Sequence, residues 1–198
     1  MMRSDCLARV TPPSLREGES VRTGFFWRNL REDDVRRRFP NDSAIPLEFG
    51  YRIKFHKLYG WHKDPYKLSV NIETCTDCQC AVHLHPSPGI FKYIALLDIE
   101  VLSEMFDSEI VAVYKPEPIE KNDEGGNINP CHFNIMPGDD LGIDSFLSSL
   151  KRLEWYGFSL GLEGASYPVS DLAKNEARKA QEKHNALVVL LDEVKLEK

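Results

Sequence analysis

Alternation of apolar and polar positions predicts strands at several places in this chain. "VRTGFFWRNL" is rich in β-branched and aromatic residues and reads as a strand. "LEFGYRIKFHKLYGW" places Phe49, Tyr51, Ile53 and Phe55 on one face and Arg52, Lys54 and His56 on the other. "KLSVNIET", "IVAVYKPE" and "CHFNIMP" read as three more short strands. "YIALLDIEVL" is an apolar run that we read as a strand from its β-branched content and the strand that follows. A helix competes there, because short apolar runs are ambiguous by period.

Helical spacing is clearest in "DSFLSSLKRLEWYG". Phe146, Leu147, Leu150 and Leu153 form its stripe, Asp144 caps it and Gly157 stops it. "DDVRRRF" reads as a brief helix ending near Pro40, with acidic residues early and basic residues late to suit its dipole. Pro168 opens a polar helix, "SDLAKNEARKAQEKH", whose stripe is narrow: Leu172, Ala173, Ala177 and Ala180. "NALVVLLDEV" is either a last strand or a continuation of that helix. "KPEPIEKNDEGGNINP" and "GFSLGLEGASYP" read as loops, from their proline, glycine and Asx content. Strands and helices without regular βαβ alternation imply an α+β fold, with a mixed or mostly antiparallel sheet of about five to six strands and two to three helices. Residues 1–20, polar and carrying Pro12, Pro13 and Gly18, read as a loosely held N-terminal arm; residues 21–198 form one α+β domain.

Composition narrows the classes. The 198 residues are 42% hydrophobic and 28% charged, near globular averages, with a net charge of -6. That acidic balance argues against a general nucleic-acid binder. A local exception is the Arg-rich segment 28–38, which holds Arg28, Arg31 and Arg36 to Arg38 and is a candidate contact for nucleic acid or a nucleotide. No stretch reaches the roughly 20 apolar residues of a membrane span, and the first 20 residues lack the apolar core of a secretory signal. The five cysteines are an odd number in a chain too large to depend on disulfides, so reduced thiols in a cytoplasmic protein are expected.

Three of those cysteines crowd into "TCTDCQCAVHLHP". Cys75 and Cys78 form C-x-x-C, the spacing by which a turn presents two thiolates to zinc. If "CAVHLHP" is extended, His83 and His85 share one face and Cys80, Val82 and Leu84 the other. A closed zinc site would then recruit Cys131 or His132 from "NPCHF". The metal candidates are therefore Cys75, Cys78, His83, His85 and Cys131, with zinc as the candidate cofactor. A thioredoxin-like role is disfavoured, because "QCAVHLHPSP" does not resemble a helix. Asp139, Asp140 and Asp144 before the 144–157 helix read as ordinary caps rather than magnesium ligands.

A second constellation joins two predicted strands. Leu68, Ser69 and Val70, then Asn129, Pro130, His132 and Ile135, form an L-S-V … N-P-x-H-x-x-I pattern. Across residues 48–137 this resembles a group of small uncharacterised bacterial proteins. The resemblance implies no activity; it implies that the two strands share a core and that His132 faces a common cleft. Two readings of function follow. One is an interaction or accessory module without catalysis of its own, contacting another protein through the arm and the 115–130 loop. The other is an enzyme or binder for a nucleotide or phosphate-bearing ligand. There Arg52 would hold charge, His132 would act as acid or base, and Ser69 would orient or attack the substrate. A zinc-stabilised structural domain is compatible with either.

Overall fold

The computed structural model describes residues 3–31, 35–37, 51–54, 67–91, 93–106, 108–119, 126–138, 154–155 and 159–161, with Asn175, Arg178, Lys179 and Glu182. The expected helix over 144–157 lies outside these residues except for Glu154 and Trp155, which are strand. Asp139, Asp140 and Asp144 also lie outside them, as does the 185–194 segment. Asn175, Arg178, Lys179 and Glu182 are helical, in the predicted polar helix.

The fold is α+β, as the sequence predicts. Its main sheet has seven strands: β1 (Ser20–Val21), β2 (Phe25–Leu30), β5 (Leu68–Ile72), β6 (Tyr93–Asp98), β7 (Ile110–Tyr114), β10 (His132–Pro137) and β12 (Ser159–Gly161). Their spatial order is β1-β7-β10-β5-β2-β6-β12, and every pairing is antiparallel. A three-stranded sheet joins β11 (Glu154–Trp155), β4 (Tyr51–Lys54) and β3 (Val35–Arg37). Strands β8 (Glu117–Pro118) and β9 (Ile128–Asn129) form a third, two-stranded sheet.

Several elements correct the sequence reading directly. Glu117–Pro118 and Ile128–Asn129, read within a loop, pair with each other as strands. Val35–Arg37 is a strand rather than part of a helix, with Val35 opposite Ile53 and Arg37 opposite Tyr51. Pairing with β4 outweighs the local dipole pattern, a tertiary override of a weak local preference. Ser159–Gly161 is also strand rather than loop, because Leu160 pairs with Ile94 on the edge of the main sheet.

One face of the main sheet carries the large core. Phe26, Leu68, Val70, Leu97, Ala112, Phe133 and Ile135 are buried on it, and Phe133 packs edge-on to Phe26 at 5.3 Å and tilted to Tyr114 at 5.1 Å. The α-helices among the described residues include α1 (Arg3–Leu7), α2 (Cys78–His83) and α3 (Ile99–Phe106). Helix α3 covers the core with Ile99, Val101, Leu102 and Phe106, each worth about 1.5–3 kcal/mol when fully buried.

The apolar run 93–102 is therefore divided: strand to Asp98, helix from Ile99. The divider is Asp98, whose Oδ1 accepts the Glu100 amide at 3.0 Å, as an N-cap does. Its Oδ2 takes two bonds from Arg178, from Nε at 3.1 Å and Nη2 at 2.6 Å, so the polar helix docks on the start of α3. Gly24, at φ +116, makes the turn into β2, a conformation that L side chains rarely adopt, and its carbonyl accepts the Ile99 amide.

The opposite face is covered at one end by α1 and α2, which corrects three further expectations. Residues 78–83 are helical, because the Asp77 carboxylate caps the turn by accepting the Cys80 amide at 2.7 Å. The N-terminal segment is held rather than loose. Cys6 is buried, Arg3 donates to the carbonyls of His83 and His85, the Thr11 amide reaches the Cys75 carbonyl, and Ser20 enters the sheet. Four of the thiols are not reduced: Cys6 bonds to Cys80 and Cys75 to Cys131, with Cα–Cα separations of 5.2 and 5.5 Å. The side chain of Cys78, the other half of the C-x-x-C pair, lies outside the described ones. The ground for placing the chain in the cytoplasm goes with the reduced thiols. Among the described residues no helix is long and apolar enough to cross a membrane.

The bonds close loops of 74 and 56 residues' separation, for which the chain-entropy model gives about 4 kcal/mol each. The non-reduced chain should therefore weigh about 4 Da less than the reduced one, two hydrogens per bond. Loss of either bond, by Cys6→Ala or Cys131→Ala, should lower Tm by about 10 °C. Equal intact masses with and without reductant would remove both bonds from the description.

Candidate functional site

Strands β5 and β10 pair with Val70 opposite Phe133, Asn71 opposite His132 and Ser69 opposite Asn134. Strand alternation then sends Val70 and Phe133 to the large core and Ser69, Asn71, His132 and Asn134 to the other face. The predicted pair meets there: Ser69 Oγ lies 2.7 Å from His132 Nε2.

The other imidazole nitrogen fixes the chemistry. His132 Nδ1 lies 2.7 Å from the Lys115 carbonyl, which can only accept, so Nδ1 carries the hydrogen. Nε2 therefore presents a lone pair to the Ser69 hydroxyl. His132 is 5% exposed, and burial pushes its pKa below the ordinary 6.5. The Glu117 carboxylate, 3.7 Å from Nε2, and the Lys115 carbonyl oppose that shift, while the charges of Lys115 and Arg28 reinforce it. The ring is thus neutral near pH 7 and can accept a proton from the serine as the oxygen attacks an electrophile.

Arg52 belongs to β4 of the three-stranded sheet, opposite Arg36, and its side chain lies outside the described ones. Among the described residues two cations, Lys115 and Arg28, act on His132, and Arg28 is half-buried in β2. Pairing between β2 and β5 ends at Trp27 opposite Asn71. The next carbonyl on that edge, Ser69 O, is taken by Arg28 Nη1 at 2.7 Å. A guanidinium thus closes the gap where the ladder stops. Sequence reading placed Arg28 in an exposed charged segment; its position inside the aromatic strand "FFWRNL" was the available signal of a buried role.

Buried amides brace the site on its inner side. Asn29 Nδ2 and Asn71 Nδ2 both donate to the Ala81 carbonyl, at 3.0 and 3.3 Å. Asn129 Nδ2 donates to Asn71 Oδ1 at 2.7 Å, and Asn129 Oδ1 accepts the Cys131 amide at 3.0 Å. This chain of bonds runs from α2 across the sheet to the residue before His132. Of these asparagines the sequence singled out Asn129, in the N-P-x-H-x-x-I pattern, but not Asn29 or Asn71.

The metal candidates separate. Cys75 and Cys131 do come together, as the sequence suggested for a site built in two halves, but they are joined to each other and hold no thiolate for zinc. His83 ends α2, so strand alternation does not relate it to His85. His85 Nδ1 accepts the Ser87 amide at 3.0 Å, and its ring stands edge-on to Phe91 at 4.7 Å. Burial and the charges of Arg28, Arg31 and Arg3 lower its pKa to about 4. Among the described residues no three His, Cys, Asp or Glu side chains gather as a metal site.

Comparison with known proteins adds no assignment: no family model, curated protein or solved structure matches this chain.

The two histidines generate a prediction. Both are lowered from 6.5 in the fold, so their neutral forms contribute stability that is complete above about pH 6.5 and is lost as pH falls through their folded values, which for His85 is about 4. Tm should fall between pH 7.5 and pH 4.5, and His132→Gln should flatten that slope. Equal slopes for the two proteins would show that His132 does not titrate as its burial requires.

Proposed function

We propose that the chain is an enzyme or binding protein for a small phosphate-bearing ligand, of which a nucleotide is the model case. The site is the polar face of β5 and β10. His132 serves as base, Ser69 as the hydroxyl whose proton it accepts, and Arg28, in place of Arg52, as the neighbouring cation. The Ser69–His132 hydrogen bond of 2.7 Å, with Nδ1 held by the Lys115 carbonyl, carries this reading. A serine positioned against a neutral imidazole of fixed tautomer is the arrangement that nucleophilic or general-base chemistry needs.

The reaction class that fits is transfer of a phosphoryl or acyl group. Ser69 Oγ attacks the phosphorus or carbonyl carbon as its proton passes to Nε2. The bond to the leaving oxygen breaks as that oxygen takes the proton from the imidazolium, and a water deprotonated by Nε2 then displaces the group from Ser69, which regains its hydrogen. The alternative is an interaction or accessory module that contacts another protein through the N-terminal segment and the 115–130 loop; there the N-terminal segment would offer a packed, disulfide-bonded surface rather than a loose arm. The two disulfides favour an oxidising compartment for the working protein.

The test is thermal unfolding across nucleoside monophosphates and inorganic phosphate. A ligand at about one hundred times its Kd adds about 2.7 kcal/mol, or roughly 5 °C or more in Tm. That shift should appear in the wild-type chain and shrink in Ser69→Ala and His132→Gln. A wild-type Tm unmoved by every ligand overturns the proposal, as does a shift that both variants retain.

A further inference from the structure

We propose that the row of side chains Asn134, Ser69 and Asn29 reads a planar group on the ligand that carries a hydrogen-bond donor beside an acceptor: a carboxamide, or the amide edge of a nucleobase. This deepens the function proposed above and rests on it for the location of the ligand.

The row follows from the ladders. Asn134 stands opposite Ser69 in the β10–β5 register. Trp27 stands opposite Asn71, so Asn29, two residues on, points to the same side of β2 as Trp27 and follows it where the β2–β5 ladder has stopped. Three adjacent strands thus each contribute a polar side chain, one step along from His132 and Asn71. Asn29 and Asn134 are each 9% exposed, an unusual burial for amides without a structural task.

Asn29 supplies the decisive observation. Its Nδ2 donates to the Ala81 carbonyl at 3.0 Å, and that carbonyl can only accept, so the amide cannot be turned over. Its Oδ1 is therefore fixed in place, and it is buried without a hydrogen-bond partner. A buried acceptor without a donor is costly and rare in native proteins, and a group that arrives with the ligand is a physical explanation for one. The complement of Asn29 Oδ1 is an N–H. Asn134, with its own donor and acceptor across Ser69, suits the carbonyl that accompanies an N–H in an amide. A phosphate offers at most a P–O–H hydroxyl and no planar N–H beside a carbonyl, so the row favours a base-bearing or amide-bearing ligand over free phosphate.

The experiment measures Kd by calorimetry on the full oxidised chain for uridine 5′-monophosphate, ribose 5-phosphate and nicotinamide. Asn134→Ala and Asn134→Asp are compared with the wild type. Uridine 5′-monophosphate should bind about tenfold more tightly than ribose 5-phosphate, the ratio expected of one well-placed polar contact. Both variants should bring that ratio close to one while leaving the ribose 5-phosphate Kd within about twofold. Nicotinamide binding that weakens in the variants would identify a carboxamide rather than a nucleobase as the source of the group. Equal wild-type affinity for the nucleotide and the sugar phosphate, with no nicotinamide binding, overturns the inference and leaves the phosphate site standing. Nicotinamide binding without ribose 5-phosphate binding removes the phosphate reading and keeps this one. Absence of binding by all three removes both.

Discussion

The register between β5 and β10 governs both halves of the molecule, because Val70 opposite Phe133 and Asn71 opposite His132 are consequences of the same alignment. A slip of one residue would exchange the two faces, turning Phe133 out of the aromatic cluster and the imidazole into it. The apolar pressure that holds Phe133 against Phe26 and Tyr114 therefore also holds His132 against Ser69. The site takes its alignment from the core on the far side of the sheet.

Around that register the chain satisfies its buried polar groups by sharing. The Ala81 carbonyl serves Asn29 and Asn71, a third asparagine, Asn129, links Asn71 to the backbone at Cys131, and Arg28 replaces a missing ladder partner for Ser69. Such networks specify one arrangement strongly, since each member loses its partner if a neighbour moves. The Cys75–Cys131 bond holds the same junction covalently, one residue before the imidazole. Against that background the unpartnered Asn29 oxygen stands out as the one acceptor in the network with nothing to accept.

The sequence showed the strands of the main sheet best, since "FFWRNL", "LSVNI", "IVAVY" and "HFNIMP" carry β-branched and aromatic residues in short runs. It also joined Ser69 to His132 and brought Cys75 to Cys131. What it misjudged was the chemistry of the second pair, because spacing is the same for two metal ligands and for two disulfide partners. Cys6, the partner of Cys80, lay in a segment read as loose, so even pairing among four of the five thiols was out of sight. Helix α2 was missed because its single strongest signal, Asp77 as a cap, had been given to a metal-binding turn. Arg52 was favoured over Arg28 because alternation can place a residue on a face but cannot say which sheet that face belongs to.

The two disulfides interlock along the chain, since the span from Cys6 to Cys80 and the span from Cys75 to Cys131 overlap at residues 75–80. A cut between Cys6 and Cys75 leaves its two pieces joined through Cys80, and a cut between Cys80 and Cys131 leaves them joined through Cys75. A cut inside the overlap leaves them joined twice. A protease that nicks this protein once, anywhere from residue 7 to residue 130, therefore releases no fragment, and the strands that carry Ser69 and His132 remain parts of a single covalent body.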